Sequence, residues 1–341
     1  MDGQKLRLAN EGILATVGNT PLVRLTHIFQ EAEFRLFAKL EAFNPGGSTK
    51  DRPALYIIRQ AIESGIISPG TVVIESSSGN MGIGLAQACS YYGLRFICVV
   101  DVKTTAQNIK LLRAYGAEVE CIDQPDPATG EYLQARLNRV RSLSTELPDS
   151  FWPDQYSNTQ NSNAHHQTMK EIFTVLDGKV DFVFCATSTC GTLRGCSEFL
   201  RQNDLKAKVI AVDAVGSVIF GGQAAKRLIP GHGAAVRPSL FHPDLADRCI
   251  LVTDLDCVIG CRRLARRESI LAGGSSGGVI RAVEKLMMEI PTGATCVAIL
   301  PDRGERYLDT IYSDEWVMEH FCDISDLRFD SVQSQEGGTI F

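Results

Sequence analysis

Lys50 stands in the run FNPGGSTKDRPA, residues 43–54, behind a proline, two glycines and two hydroxyls and ahead of a periodic apolar segment (Ala54, Leu55, Ile57, Ile58). A glycine-rich turn that delivers a lysine to a helix start has the makings of a phosphate loop. The nucleotide-binding form of that loop places Ser or Thr directly after the lysine, where it reaches magnesium. Here Ser48 and Thr49 precede the lysine and Asp51-Arg52 follow it. Taken alone, the stretch reads equally well as a capped helix start with a solvated lysine.

Four more loops carry unusual chemistry: ESSSGNMG (75–82), TSTCGT (187–192), AGGSSGG (272–278) and LPDRGERY (300–307). The first, second and fourth directly follow apolar runs, and the first three head helical patterns. Small residues there leave backbone N–H groups free to face an anion, and the helix dipole favours one. The second loop has no lysine of its own, which argues against a nucleoside triphosphate. Each loop is weak evidence singly. Together with Lys50 they describe an amine, an anion cradle and neutral hydroxyl and amide donors. That set suits a phosphorylated aldehyde held as an imine, namely pyridoxal 5′-phosphate.

The elements that must position these loops follow from periodicity. Apolar runs at 71–75, 95–101, 118–122, 180–186, 209–213, 250–253 and 296–300 read as strands. Amphipathic patterns at 82–92, 106–115, 132–147, 193–202, 257–267 and 279–289 read as helices. Continuous apolar strands alternating with helices predict an α/β fold of mainly parallel sheets covered on both faces. At 341 residues the chain exceeds what one core usually holds, so two domains are expected. The polar stretch 148–167 is placed as the crossing between a smaller mobile domain, 1–156, whose N-terminal segment reaches the other domain, and a larger cofactor-binding domain, 157–322. Residues 323–341 lack periodicity and read as a flexible tail.

Composition narrows the function. Hydrophobic content of 44% and charged content of 22% are those of a globular protein. A formal net charge of −6 argues against nucleic acid or an anionic membrane as partner. No run approaches the roughly 18 apolar residues of a membrane span, and MDGQKLRLANEG has no apolar signal core. The 11 cysteines are odd in number and irregular in spacing, and Cys89, Cys98, Cys185 and Cys296 lie inside apolar elements. No CxxC pair occurs, and Cys257-x-x-x-Cys261 lacks a second half. Reduced thiols in a cytoplasmic protein fit better than disulfides or zinc, and no metal site is expected.

At this point the residues meet a known family. NPGGSTKDR (44–52) resembles the Schiff-base lysine segment of fold type II pyridoxal-phosphate enzymes, and TVGNTPLVRL (16–25) resembles their N-terminal signature. The group is that of cysteine synthase and cystathionine β-synthase. GGSTKDRPA, DAVGSVIFG (213–221), LAGGSSG and ILPDRGERYLD (299–309) are similar to its siderophore-pathway branch.

The resemblance implies roles. Lys50 holds the cofactor as an internal aldimine and then serves as the base for the substrate α-proton. Asn80 meets the ring's phenolic oxygen. Ser188, Thr189, Cys190, Gly191 and Thr192 form the phosphate cup, with Ser and Cys where the family usually has glycine. Ser275 faces the pyridine nitrogen. A hydroxyl there makes a weaker electron sink than a carboxylate, which favours loss of a β-leaving group over transamination. Gly231 and Gly233 form a turn near the ring. Ser77, Ser78 and Gln155 grip the substrate carboxylate, and Met81 replaces the threonine of cysteine synthases. Capping alone would also explain Ser77, surface polarity Gln155, and packing Cys190. A phosphate leaving group calls for arginine: Arg303, or Arg136 with Tyr156, although Arg136 reads equally as a solvated helix residue. The implied reaction joins O-phospho-L-serine and L-glutamate through an aminoacrylate to give N-(2-amino-2-carboxyethyl)-L-glutamate, a source of 2,3-diaminopropionate. Sulfide as second substrate, O-acetylserine as first, and a non-catalytic binding protein on the same fold are the alternatives. The expected partners are small amino acids and a second copy of the chain.

Overall fold

The computed structural model describes residues 11–321. Along the chain, β1 (Leu22–Leu25) and β2 (Arg35–Leu40) lead into α1 (Asp51–Glu63). Next come β3 (Val72–Ser76), α2 (Asn80–Tyr92), β4 (Arg95–Asp101), α3 (Ala106–Ala114), β5 (Glu118–Ile122), α4 (Tyr132–Glu146) and the two-residue β6 (Ser150–Phe151). The second half holds α5 (Gln160–Val175), β7 (Phe182–Ala186), α6 (Gly191–Gln202), β8 (Lys208–Ala214), β9 (Arg248–Val252), α7 (Asp254–Glu268), α8 (Gly274–Leu286), β10 (Thr295–Leu300) and α9 (Asp314–His320).

Two sheets result. A six-stranded sheet runs β1-β2-β10-β7-β8-β9, parallel except for the antiparallel edge strand β1. A four-stranded parallel sheet runs β5-β4-β3-β6. Every residue of β3 and of β10 is buried, as expected of strands covered by helices on both faces. In the larger sheet, α7 and α8 pack with Phe184, Ile210 and Ala298 on one face. α5 and α6 pack with Val183, Val209 and Ile299 on the other. In the smaller sheet, α1 and α2 cover Val73, Phe96 and Cys98, and α4 covers Val72, Ile74 and Val99.

Three features depart from the expected pattern. Residues 22–40 supply two strands to the larger sheet. They escape detection because Arg24 and Lys39 interrupt short runs, and Lys39 is buried only because Glu171 pairs with it at 2.6 Å. The polar stretch 148–167 is not a plain connection: it holds β6 and the first half of α5. α5 buries Asn161, Ser162, His165 and Thr168 alongside Ala164, Met169 and Ile172, so polar residues break the apolar period of its contact face. In the third loop, Gly277 and Gly278 belong to α8 and let it press against α7. A Cβ on Gly277 would stand 2.0 Å from Cys257 O. The tail 323–341 lies outside the described residues.

Candidate active site

Lys50 is the N-cap of α1 and the last residue of a loop strapped to the larger sheet. Thr49 N donates to Pro301 O at 2.7 Å, just beyond β10. Gly46 N donates to Asp51 Oδ2 at 2.5 Å, and burial pushes the Asp51 carboxyl up to about 7. Gly47 takes φ +88°, a conformation that glycine alone adopts freely, and an added Cβ would meet Arg303 Nε at 2.5 Å. Behind the lysine, the Arg52 guanidinium contacts Glu41 (Nε–Oε2 2.6 Å) and Glu171 (Nη1–Oε1 2.8 Å), all three buried. Burial lowers the Lys50 ammonium, while Asp302 and Cys190 oppose that shift. A half-buried amine eased toward its neutral form is what imine chemistry and proton abstraction both need.

The loop before α2 supplies the next wall. Ser77 Oγ accepts from Gly82 N at 2.9 Å, so this hydroxyl caps the helix. Ser78 is half-buried and its carbonyl accepts from Asn108 Nδ2 at 3.0 Å. Asn80 Nδ2 donates to Asp302 Oδ2 at 2.8 Å. Gln155 is buried rather than a surface group. Its Nε2 donates to Ser76 O and its backbone N donates to Glu75 Oε2, both at 3.2 Å. Met81 corrects the expected substrate contact. It is 2% exposed and packs in the core of the smaller sheet with Ile83, Leu85 and Cys98.

The loop before α6 begins with Thr187, whose hydroxyl donates to Asp213 Oδ1 at 2.8 Å. Cys190 caps α6 in the left-handed region, φ +65°, which accounts for the glycine usual at this place. Its buried side chain packs with Ile219 and Leu240, and burial pushes the thiol up to about 12, so it is no thiolate nucleophile. Thr189 Oγ1 accepts from Asn161 Nδ2 at 3.3 Å, and Thr192 Oγ1 lies 3.2 Å from His165 Nε2. Ser188 and Thr192 stay half-buried at the helix start. Gly233 N donates to Thr187 O at 2.8 Å, setting the turn of Gly231 and Gly233 against this loop. Ser275 is buried in the first turn of α8.

The arginines divide. Arg136 is buried on α4 with Nε 3.0 Å from Asp101 Oδ2, so it is not a solvated helix arginine. Burial raises the Tyr156 phenol, and the Arg136 charge opposes the rise. Arg303 Nη2 donates to Ala42 O at 2.9 Å, bracing the lysine loop, while its Nε has no hydrogen-bond partner among the described residues. The arginine of that segment that reaches Asn80 is Arg306. Asp302, Arg306 and Asn161 escape sequence reading. The charged run after the last strand is a signal, but which of its side chains points inward depends on the turn at 304–307.

A model of the family described as "Pyridoxal-phosphate dependent enzyme" matches residues 13–302. The chain belongs to the pyridoxal-phosphate dependent enzyme family. Within it, the chain is 46% identical over 308 residues to the N-(2-amino-2-carboxyethyl)-L-glutamate synthase of Ralstonia nicotianae, covering 90% of this chain and 91% of that one. Cysteine synthase from Entamoeba histolytica superposes with a TM-score of 0.84 at 34% identity, covering 92% and 93% of the two chains. O-ureido-L-serine synthase superposes with a TM-score of 0.81 at 30% identity, covering 93% and 98%. The fold is the fold type II arrangement of such enzymes, and the cofactor is pyridoxal phosphate.

The residues present fit this group. Buried Thr49 Oγ1, Ser76 Oγ, Asn161 Oδ1, Ser276 Oγ and Asp302 Oδ1 have no hydrogen-bond partner among the described residues, and all belong to the converging loops or to α5 beneath them. Gly191 tests the phosphate cup directly. A Cβ there would stand 2.2 Å from Oδ1 of the buried Asn161, which also holds Gln155 O at 2.7 Å. Overpacking of this kind costs about 1–3 kcal/mol. Gly191→Ala is therefore expected to weaken pyridoxal phosphate binding about tenfold or more, measured by fluorescence titration of the cofactor-free protein.

Proposed function

We propose that the protein catalyses β-replacement on O-phospho-L-serine with the α-amine of L-glutamate, releasing phosphate and N-(2-amino-2-carboxyethyl)-L-glutamate. The Cβ–O bond breaks, a Cβ–N bond forms, and the attacking amine gives up one proton. The observation that carries this reading is the 46% identity, over nine-tenths of both chains, with a synthase of that name. When bound, pyridoxal phosphate supplies an electron sink beside the substrate Cα. Lys50 takes and returns the α-proton. The start of α2 receives the substrate carboxylate through Ser77, Ser78 and the neighbouring amides, since Ser77 Oγ accepts from Gly82 N and keeps its O–H to donate. Arg136 with Tyr156 receives the phosphate, and Ser275 leaves the ring nitrogen facing only an alcohol.

The product would feed a dehydrogenase or lyase step that frees 2,3-diaminopropionate for siderophore synthesis. A cytoplasmic homodimer is proposed for the setting. Every described cysteine is a free thiol, in keeping with a reducing compartment, and no helix of the described residues is long and apolar enough to cross a membrane. A cysteine synthase reading is supported by the 34% identical Entamoeba enzyme. Mass spectrometry decides between the two. With phosphoserine and equal glutamate and sulfide, the glutamate adduct and an equal amount of phosphate are expected. Cysteine as the sole product rejects the proposal.

A further inference from the structure

Asn80 opens α2 beside the smaller sheet, yet both ends of its amide are held from the larger one. Its Nδ2 donates to Asp302 Oδ2 at 2.8 Å and its Oδ1 accepts from Arg306 Nη1. Arg306 Nη2 donates onward to Gly46 O at 2.5 Å, in the lysine loop. The Tyr307 hydroxyl donates to the same Asp302 oxygen at 2.6 Å. A carboxylate only accepts and a guanidinium only donates. The amide thus has a single orientation: turned over, it would set NH2 against guanidinium and C=O against carboxylate. Asp302 is 2% exposed, and its Oδ1 has no partner among the described residues. Gly273 leaves room for that oxygen, since a Cβ there would lie 2.0 Å from it.

We propose that Asp302 and Arg306 are positioning residues that lock the Asn80 amide with its N–H side turned toward the Lys50 pocket, so that the ring oxygen of pyridoxal phosphate meets a donor there. This rests on the reading of Asn80 as the amide that meets that oxygen. Asp302 has a second effect, because it lies close enough to Lys50 to favour a proton on the lysine nitrogen. The other titratable groups around Lys50 are Cys190 at the start of α6 and His165 on α5. Arg306 and Tyr307 stand behind Asp302, with Cys261 of α7 beyond them.

The test uses cofactor-loaded protein without substrate, read by absorbance against pH, by circular dichroism in the cofactor's visible band, and by cofactor affinity. Asp302→Asn is expected to lower the midpoint of the absorbance titration by about one pH unit or more and to weaken cofactor binding about tenfold. The thermal midpoint of the cofactor-free protein should stay at the wild-type value. Arg306→Gln keeps the carboxylate and frees the amide. It is expected to reduce the dichroic band while moving the midpoint less, and Arg306→Lys is expected to restore part of the band. Should Asp302→Asn fail to fold, Arg306→Gln, altering a half-buried side chain, carries the test alone. Wild-type midpoint, dichroism and affinity in the folded variants overturn the proposal. None of these readouts involves phosphoserine or glutamate, so the result is independent of whether the glutamate adduct forms.

Discussion

Lys50→Ala is expected to fold, to bind pyridoxal phosphate only noncovalently, and to turn over at least about 10³-fold more slowly than the wild type. Borohydride followed by peptide mass spectrometry should add the cofactor's mass to the segment containing residue 50 in the wild type and to no peptide of the variant. The size of the loss follows from the lack of substitutes. Cys190 is the thiol whose charge acts on Lys50, but burial pushes it up to about 12, so almost none is thiolate at neutral pH. His165 is buried between Thr168 and Thr192, and burial drives its imidazolium well below the usual histidine range. Asp302 is tied to Asn80 and Tyr307. Near-normal turnover by Lys50→Ala would mean that the proton is moved by a group outside this pocket.

Glu171→Gln is expected to cost about 3–5 kcal/mol of stability, because it leaves buried cations uncompensated. Glu171 accepts from Lys39 Nζ at 2.6 Å, from Arg52 Nη2 at 2.7 Å and from Asn19 N at 2.9 Å. With Glu41 the cluster is two cations against two anions. Burial pushes the Glu171 carboxyl up, but Arg52 and Lys39 overcome it and hold the group at about 2. A carboxylate depressed in the folded state contributes stability above its ordinary value of 4.5, and that contribution is lost as pH falls toward about 2. Denaturant unfolding at neutral pH measures the cost, and the gap between wild type and Glu171→Gln is expected to narrow through that acid window. A cost below about 1 kcal/mol, the worth of an exposed pair, would show that the cluster is solvated in solution.

What could be read from the chain depended on whether a signal was local. β4 falls at the residues its apolar run marked, because a strand buried on both faces declares itself by composition. α5 did not, since its buried face mixes Met169 and Ile172 with Asn161, His165 and Glu171, which pair with Thr189, Thr192 and Arg52 elsewhere in the chain. β2 hides Lys39 in the core only because Glu171 arrives 132 positions later. Within the site, the lysine loop and the starts of α2, α6 and α8 were legible as small-residue turns after strands or before helices. The direction of individual side chains was not. Met81 adjoins a serine-rich loop, yet the second position of α2 aims it into the core. Arg303 and Arg306 are three residues apart, and the turn between them decides which one reaches Asn80.

The peptide between β2 and α1 has a bearing on engineering. Residues 41–50 leave one sheet and enter the helix that covers the other, with Asn44 fixed to Gly18 N at 2.8 Å and Arg52 riveted to Glu171. Lys50 therefore sits at the end of the connection between the two sheets. A chimera that swaps the four-stranded half between relatives cannot be cut at the sheet boundary. It must carry Glu41 through Arg52 together with Glu171, or the reactive amine will be aimed by one parent and braced by another.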